Sequence, residues 1–203
     1  MTVSARRERE QIMRREAILD SARKLFTDNG YESTTVDAIA AKAELGKGTI
    51  YSYFSGKEEI YLAILERELT ILHNNMQKAV ETSSTAAEAL SNLYAAFIRH
   101  HKEYHLPESI FVQVGDQRFI RLDGLLSKLR EQASGWVQMI SAVVKRGIES
   151  GELICCDVEK VAKCIIGMIL GITVQASMGQ IKEDLEVYNG TVFQIVMRGI
   201  KKS

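Results

Sequence analysis

Residues 35–57 read Thr35-Val36-Asp37-Ala38-Ile39-Ala40-Ala41-Lys42-Ala43-Glu44-Leu45-Gly46-Lys47-Gly48-Thr49-Ile50-Tyr51-Ser52-Tyr53-Phe54-Ser55-Gly56-Lys57. Two short helical patterns lie in this stretch, parted by a tight turn at Glu44-Leu45-Gly46. In the first, residues 36–43, Val36, Ile39, Ala40 and Ala43 share one face, and Thr34 or Thr35 offers a hydroxyl N-cap. In the second, residues 47–54, Ile50 and Phe54 are four apart and turn inward, toward the first helix and Phe26. Two short helices joined by a three- or four-residue turn make a helix-turn-helix. Its second helix enters the major groove and meets base edges with its N-terminal residues.

The outward residue types suit that use. Lys47, Thr49, Tyr51, Ser52 and Tyr53 can all donate hydrogen bonds, and Thr35 joins them from the head of the first helix. Gly48 has no side chain to keep a DNA strand away. Lys57 opens the next helix, where its charge adds to amide dipoles aimed at a phosphate. Lys47 and Thr49 are expected to read bases, Tyr51 and Lys57 to hold phosphates.

Residues 10–65 resemble the DNA-binding domain of the TetR family of bacterial transcriptional regulators. The matching pieces are Ala22-x-x-Leu25-Phe26, Gly30-Tyr31, Thr34-Thr35-Val36-x-x-Ile39-Ala40 and Lys47-Gly48-Thr49-Ile50-Tyr51-x-Tyr53-Phe54-x-x-Lys57-Glu58. One departure stands out: the family's small Ala-Gly-Val-Ser turn is here Ala43-Glu44-Leu45-Gly46, with Glu44 in place of glycine. The resemblance implies a homodimer whose C-terminal helical domain binds a small ligand and sets the spacing of two reading heads. A two-fold dimer in turn implies a palindromic operator on double-stranded DNA.

The rest of the chain reads as helix after helix. Arg9–Asp28 is amphipathic and closes at Asn29-Gly30, and Ser55 could cap a long helix from Lys57 to about Val80. Thr82-Ser83-Ser84-Thr85 is a linker and the cap of a helix running to about His105. Pro107 starts a short segment over residues 108–114. Residues 120–149, 158–178 and 185–200 complete about nine helices with no convincing strand, so the fold class is all-α. The division expected is a DNA-binding domain at 1–56 and a ligand-binding and dimerisation domain at 57–203.

Composition agrees. The 203 residues are 46% hydrophobic and 26% charged, which excludes intrinsic disorder, and a single proline suits a helical chain. The net charge is zero, so any basic patch is local; residues 1–24 hold seven Arg/Lys against four acids, an excess of three. Arg6, Arg7 and Arg9 therefore read either as a solvated tail or as an arm reaching DNA. No apolar run opens the chain, and the longest, Cys164–Ala176, is shorter than the roughly 20 residues that span a bilayer. Three cysteines without a CxxC build neither a disulfide framework nor a zinc site. The expectation is a reduced, cytoplasmic protein with no membrane partner.

Residues 158–178 are apolar nearly all round and need cover on both sides. One side is expected on the core and the other on a twin subunit, with Ile165, Gly167, Met168 and Gly171, and with Tyr188, Val192 and Ile195 from the last helix. The effector site is expected among Tyr94, Phe97, Phe111, Gln113, Trp136 and Met139, an apolar stripe with few charges that favours an apolar ligand of unknown identity. His100, His101 and His105 read as polar surface or pocket lining rather than a metal site, and no cofactor is expected. GxSxG, HExxH and phosphate-loop patterns are all missing, so the chain is not read as an enzyme. The functional expectation is a ligand-responsive repressor; the alternative is a helix-turn-helix dimer with a structural or interaction role and no effector.

Overall fold

The computed structural model describes residues 3–104, 123–181 and 183–202. Within them the chain forms eight helices: α1 (Val3–Asn29), α2 (Val36–Lys42), α3 (Lys47–Tyr53), α4 (Lys57–Glu81), α5 (Ala86–Tyr104), α6 (Asp123–Glu149), α7 (Val158–Ser177) and α8 (Leu185–Ile200). The fold is all-α, and the one β-type pairing among the described residues is a single antiparallel bridge between Leu153 and Lys201. The expected segment 108–114, with Phe111 and Gln113, lies outside the described residues, as do Pro107 and the expected helix start at Ile120. The chain divides into two compact units, Met1–Arg67 and Glu68–Ser203, and α4 runs through the division.

In the first unit, α1 starts at Val3 rather than Arg9. Nothing upstream breaks the helix, and the Arg6 guanidinium meets Glu10 one turn on at 3.0 Å. Arg6, Arg7 and Arg9 therefore ride on a helix, which corrects the reading of them as a disordered tail. The helix ends at Gly30, which adopts φ +80°, and the Gly30 amide donates to Phe26 O at 3.0 Å. Of the two candidate caps, Thr35 caps α2: its Oγ1 accepts from the Ala38 amide at 3.1 Å. Thr34 is instead buried and donates back to Gly30 O (2.8 Å) and Leu25 O (3.2 Å), locking the loop.

Ile18, Leu19, Ala22, Ile39, Ile50, Phe54, Ile60 and Ile64 form the buried core of this unit. Each such aliphatic is worth roughly 1.5–3 kcal/mol of burial. Phe26, Tyr31 and Tyr61 close one end of it, their ring centroids 4.9–5.5 Å apart. Arg67 ties α4 to α1 through Glu16 (2.8 Å) and Asp20 (2.9 Å). The α4 ladder opens with the Ile60 amide donating to Gly56 O at 3.2 Å, and no Ser55 hydroxyl bond to an α4 amide is seen among the described residues. Ser55 instead gives its amide to the Glu59 carboxylate at 2.6 Å, which holds that carboxyl below its usual pKa.

The second unit is a helical core built from the end of α4 and α5–α8. Thr85 caps α5 through the Glu88 amide (3.1 Å), and the Glu152 carboxylate takes the Ala86 and Ala87 amides at 2.8 Å each. Gly147 is required there: a Cβ would lie 2.6 Å from Leu153 Cδ1 and 2.7 Å from Ala86 Cβ. Asp157 and Asp184 cap α7 and α8, and Lys102 of α5 bridges Asp184 (2.6 Å) and Glu186 (2.9 Å). These caps explain why the boundaries of α7 and α8 were legible from the residues alone.

Candidate nucleic-acid interface

The turn between α2 and α3 positions the candidate DNA contacts of α3. Glu44 supplies the reversal with φ +55°, the left-handed conformation that glycine adopts without strain. The Leu45 amide then returns to Ala40 O at 2.9 Å, and Gly46 starts α3 without a side-chain cap. The first amides of α3 are thus left toward solvent, the arrangement that attracts anions.

Ile50 and Phe54 face the core, and the Arg15 guanidinium lies 5.4 Å from the Phe54 ring centroid. Lys47, Gly48, Tyr51 and Ser52 are exposed, and Thr49 and Tyr53 are half-buried. A Cβ at Gly48 would meet nothing within 4 Å, so packing within the chain does not demand glycine there. Ser52 donates to Thr49 O at 2.6 Å and keeps its lone pairs outward. The Thr35 oxygen is an acceptor in the α2 cap, which leaves its proton to donate.

Two lysines behave differently from one another. Lys47 Nζ lies 2.7 Å from Asp37 Oδ1, and that bond and charge raise the lysine pKa. Sequence reasoning missed Asp37, although its place in the first turn of α2 is an acid's favoured position. Lys57 Nζ donates to Tyr31 O (2.8 Å) and Glu32 O (3.3 Å) and sits 4.3 Å from the Tyr31 ring centroid. It fastens α4 to the loop before α2, so a phosphate at Lys57 would compete with carbonyls already in place.

Residues 18–64 match the family model described as bacterial regulatory proteins, tetR family. The chain is 26% identical over 189 residues to the HTH-type transcriptional regulator YhgD of Bacillus subtilis, covering 93% of this chain and 97% of that protein. It is 28% identical over 185 residues to the fatty acid metabolism regulator protein of the same organism, covering 90% and 93%. The crystal structure of B. subtilis FadR with stearoyl-CoA superposes with a TM-score of 0.73 at 24% identity, over 89% of this chain and 96% of that one. The chain belongs to the TetR family. It is a helix-turn-helix transcription regulator.

In the second unit of this TetR-family chain, Tyr94, Phe97, Trp136 and Met139 are brought together in one buried cluster. Phe97 and Trp136 meet edge to face at 6.2 Å. Tyr94 Oη and Trp136 Nε1 are buried without a hydrogen-bond partner among the described residues, and burial pushes the Tyr94 phenol up to about 12. His100 is 2% exposed, and burial, then His101, lowers its pKa to about 4. Glu68 Oε2, itself buried, stands 4.0 Å from His100 Nε2. Among the described residues no group of three His, Cys, Asp or Glu is placed to hold a metal, and His105 lies outside them.

The residues expected at a subunit interface separate onto two faces. Ile165 and Val192 are buried in the chain's own core, because Ile165 shares the α7 face of Ala162 and Ile169 and Val192 the α8 face of Leu185. Gly167 and Ile195 are exposed, and Met168, Gly171 and Tyr188 are half-buried. Cys155 and Cys164 are exposed; Cys156 is half-buried, and its thiol pKa is raised by burial and by its neighbours Cys155 and Asp157. No helix among the described residues is long and apolar enough to cross a membrane.

Proposed function

We propose that this TetR-family regulator is a homodimeric repressor that binds a palindromic operator and is released by a small apolar effector. The observation that carries the reading is the solvent face of α3, where Lys47, Thr49, Tyr51 and Ser52 project from a helix seated on buried Ile50. Residues 1–56 read the DNA; residues 57–203 hold the effector and the partner subunit. Lys47 and Thr49 reach base edges, with Thr35, Gly48, Tyr51, Ser52, Tyr53 and Lys57 along the backbone.

The subunits meet through the outer face of α7 and α8, at Gly167, Met168, Gly171, Tyr188 and Ile195. Gly167 and Gly171 lie one turn apart with open space at both, a shallow groove into which a partner helix fits. The effector enters the Tyr94–Phe97–Trp136–Met139 cluster, where two buried donors lack acceptors among the described residues. The stearoyl-CoA in the FadR structure supports a ligand with an apolar body. The protein acts by binding, in the cytoplasm, and no catalytic step is assigned to it.

Selection from a pool of randomised duplexes tests this reading. An inverted repeat should be enriched; a single asymmetric site, or no enrichment, overturns it.

A further inference from the structure

The C-terminal end of α8 carries a groove of about 510 Å³ lined by Phe193, Gln194, Met197, Arg198, Lys201 and Lys202. Three of its walls are cationic and none is acidic. Arg198, Lys201 and Lys202 take part in no ion pair or side-chain hydrogen bond among the described residues. The Glu152 carboxylate accepts from the Ala86 and Ala87 amides of α5 and makes no ion pair with these three cations.

The groove is built rather than frayed. The Ile154 amide donates to Ile200 O at 2.8 Å, the Lys201 amide to Met197 O at 2.8 Å and the Lys202 amide to Glu152 O at 3.1 Å. Together with the Leu153–Lys201 bridge, these bonds clip the last residues to a segment anchored by buried Leu153. A terminal stretch without such ties would be poorly ordered. Here two lysines are held beside a half-buried phenylalanine and a buried methionine.

Cations alone would suit any polyanion, but the Phe193–Met197 wall adds apolar surface that a phosphate backbone cannot use. The volume falls in the range of small-molecule pockets. We propose that this groove binds a small amphipathic anion, an acyl or aryl body carrying a carboxylate or phosphate, with its charge on Arg198, Lys201 and Lys202. The lining of the groove includes none of the DNA-reading or effector-binding residues named above, so a failed titration leaves the function proposed above untouched.

Calorimetric titration of the full chain with decanoate, decyl phosphate, decanol and decyltrimethylammonium, each below its aggregation concentration, tests the assignment. Decanoate or decyl phosphate should saturate at one per chain, and whichever binds tighter distinguishes a free acid from a phosphate ester. Decanol and the cationic amphiphile should bind about tenfold more weakly or not at all, a difference of one charge-assisted contact. The K201E/K202E double variant should lose about the same factor, and added salt should weaken binding. Should K201E/K202E fail to fold, R198Q reads the same loss. The assignment is overturned if decanol matches decanoate, if uptake never saturates, if the charge variants bind like the parent, or if Trp136→Phe abolishes binding that K201E/K202E retains.

Discussion

Lys47 and Asp37 face each other across the α2–α3 turn, with Nζ 2.7 Å from Oδ1. Both side chains are more than half exposed, at 55% and 64%. A solvent-exposed pair of this kind contributes little to stability. A guanine edge, offering two acceptors to Lys47, can therefore displace Asp37 with little loss. The same carboxylate repels phosphates, so on the proposed reading the pair restrains Lys47 when no DNA is present.

Asp37→Asn removes that restraint while keeping a side chain able to cap locally. Affinity for unrelated duplexes should rise by a few-fold, and the ratio of operator to unrelated binding should fall. Fluorescence anisotropy at several salt concentrations checks this. A loss of affinity for both kinds of duplex would show instead that Asp37 is needed to aim Lys47.

Glu44→Gly should stabilise the protein. At φ +55° a side chain costs about 1 kcal/mol relative to glycine, and Glu44 accepts that strain at an exposed position. Urea denaturation should show a higher midpoint by about that free energy, with the slope unchanged. An unchanged or lower midpoint would mean that the glutamate conformation is not strained.

Much of this fold was legible before any coordinates. The last helix, Leu185–Ile200, was bounded correctly because Asp184 caps it and its apolar period runs its full length. The opening of α1 was not legible, since its first turns hold charged residues without apolar period and are helical through pairs such as Arg6–Glu10. For α7, a sequence apolar on nearly every side has no periodic signal, so Ile165 and Gly167 could not be sorted onto inner and outer faces. Glu152 capping α5 from 65 residues away, and Lys57 fastening the Tyr31 loop, are long-range matches that no local pattern announces. At the candidate site the residue types on α3 were readable, but the partner of Lys47 was not, because its acid lies ten positions upstream.

Acid should destabilise the second unit through His100. Its folded pKa of about 4 lies below the ordinary 6.5, so the unfolded chain takes up a proton that the folded one refuses. Stability should therefore fall as pH drops from about 6.5 toward 4, by up to about 1.4 kcal/mol per unit inside that window. Denaturation midpoints of the parent and His100→Gln, compared across that range, isolate the contribution. Parallel curves would mean that His100 titrates normally.

Gly167→Glu should yield a folded monomer. A Cβ at Gly167 meets nothing within 4 Å, so the chain itself accommodates a side chain there. In a dry contact between subunits, however, the unpaired carboxylate typically costs several kcal/mol. Sedimentation should show the parent as a dimer and the variant as a monomer that no longer holds operator. An intact, soluble variant dimer would place the interface elsewhere.

The most direct test of base reading by α3 is the base preference of Lys47→Ala. Binding of parent and variant to the selected operator, and to versions changed one base pair at a time, should differ at one position per half-site. There the parent should discriminate by about 1–3 kcal/mol and the variant should not, while preference at the other positions is retained. If Lys47→Ala kept the parent's full preference at every position, the lysine would not read a base and the account of α3 would be wrong.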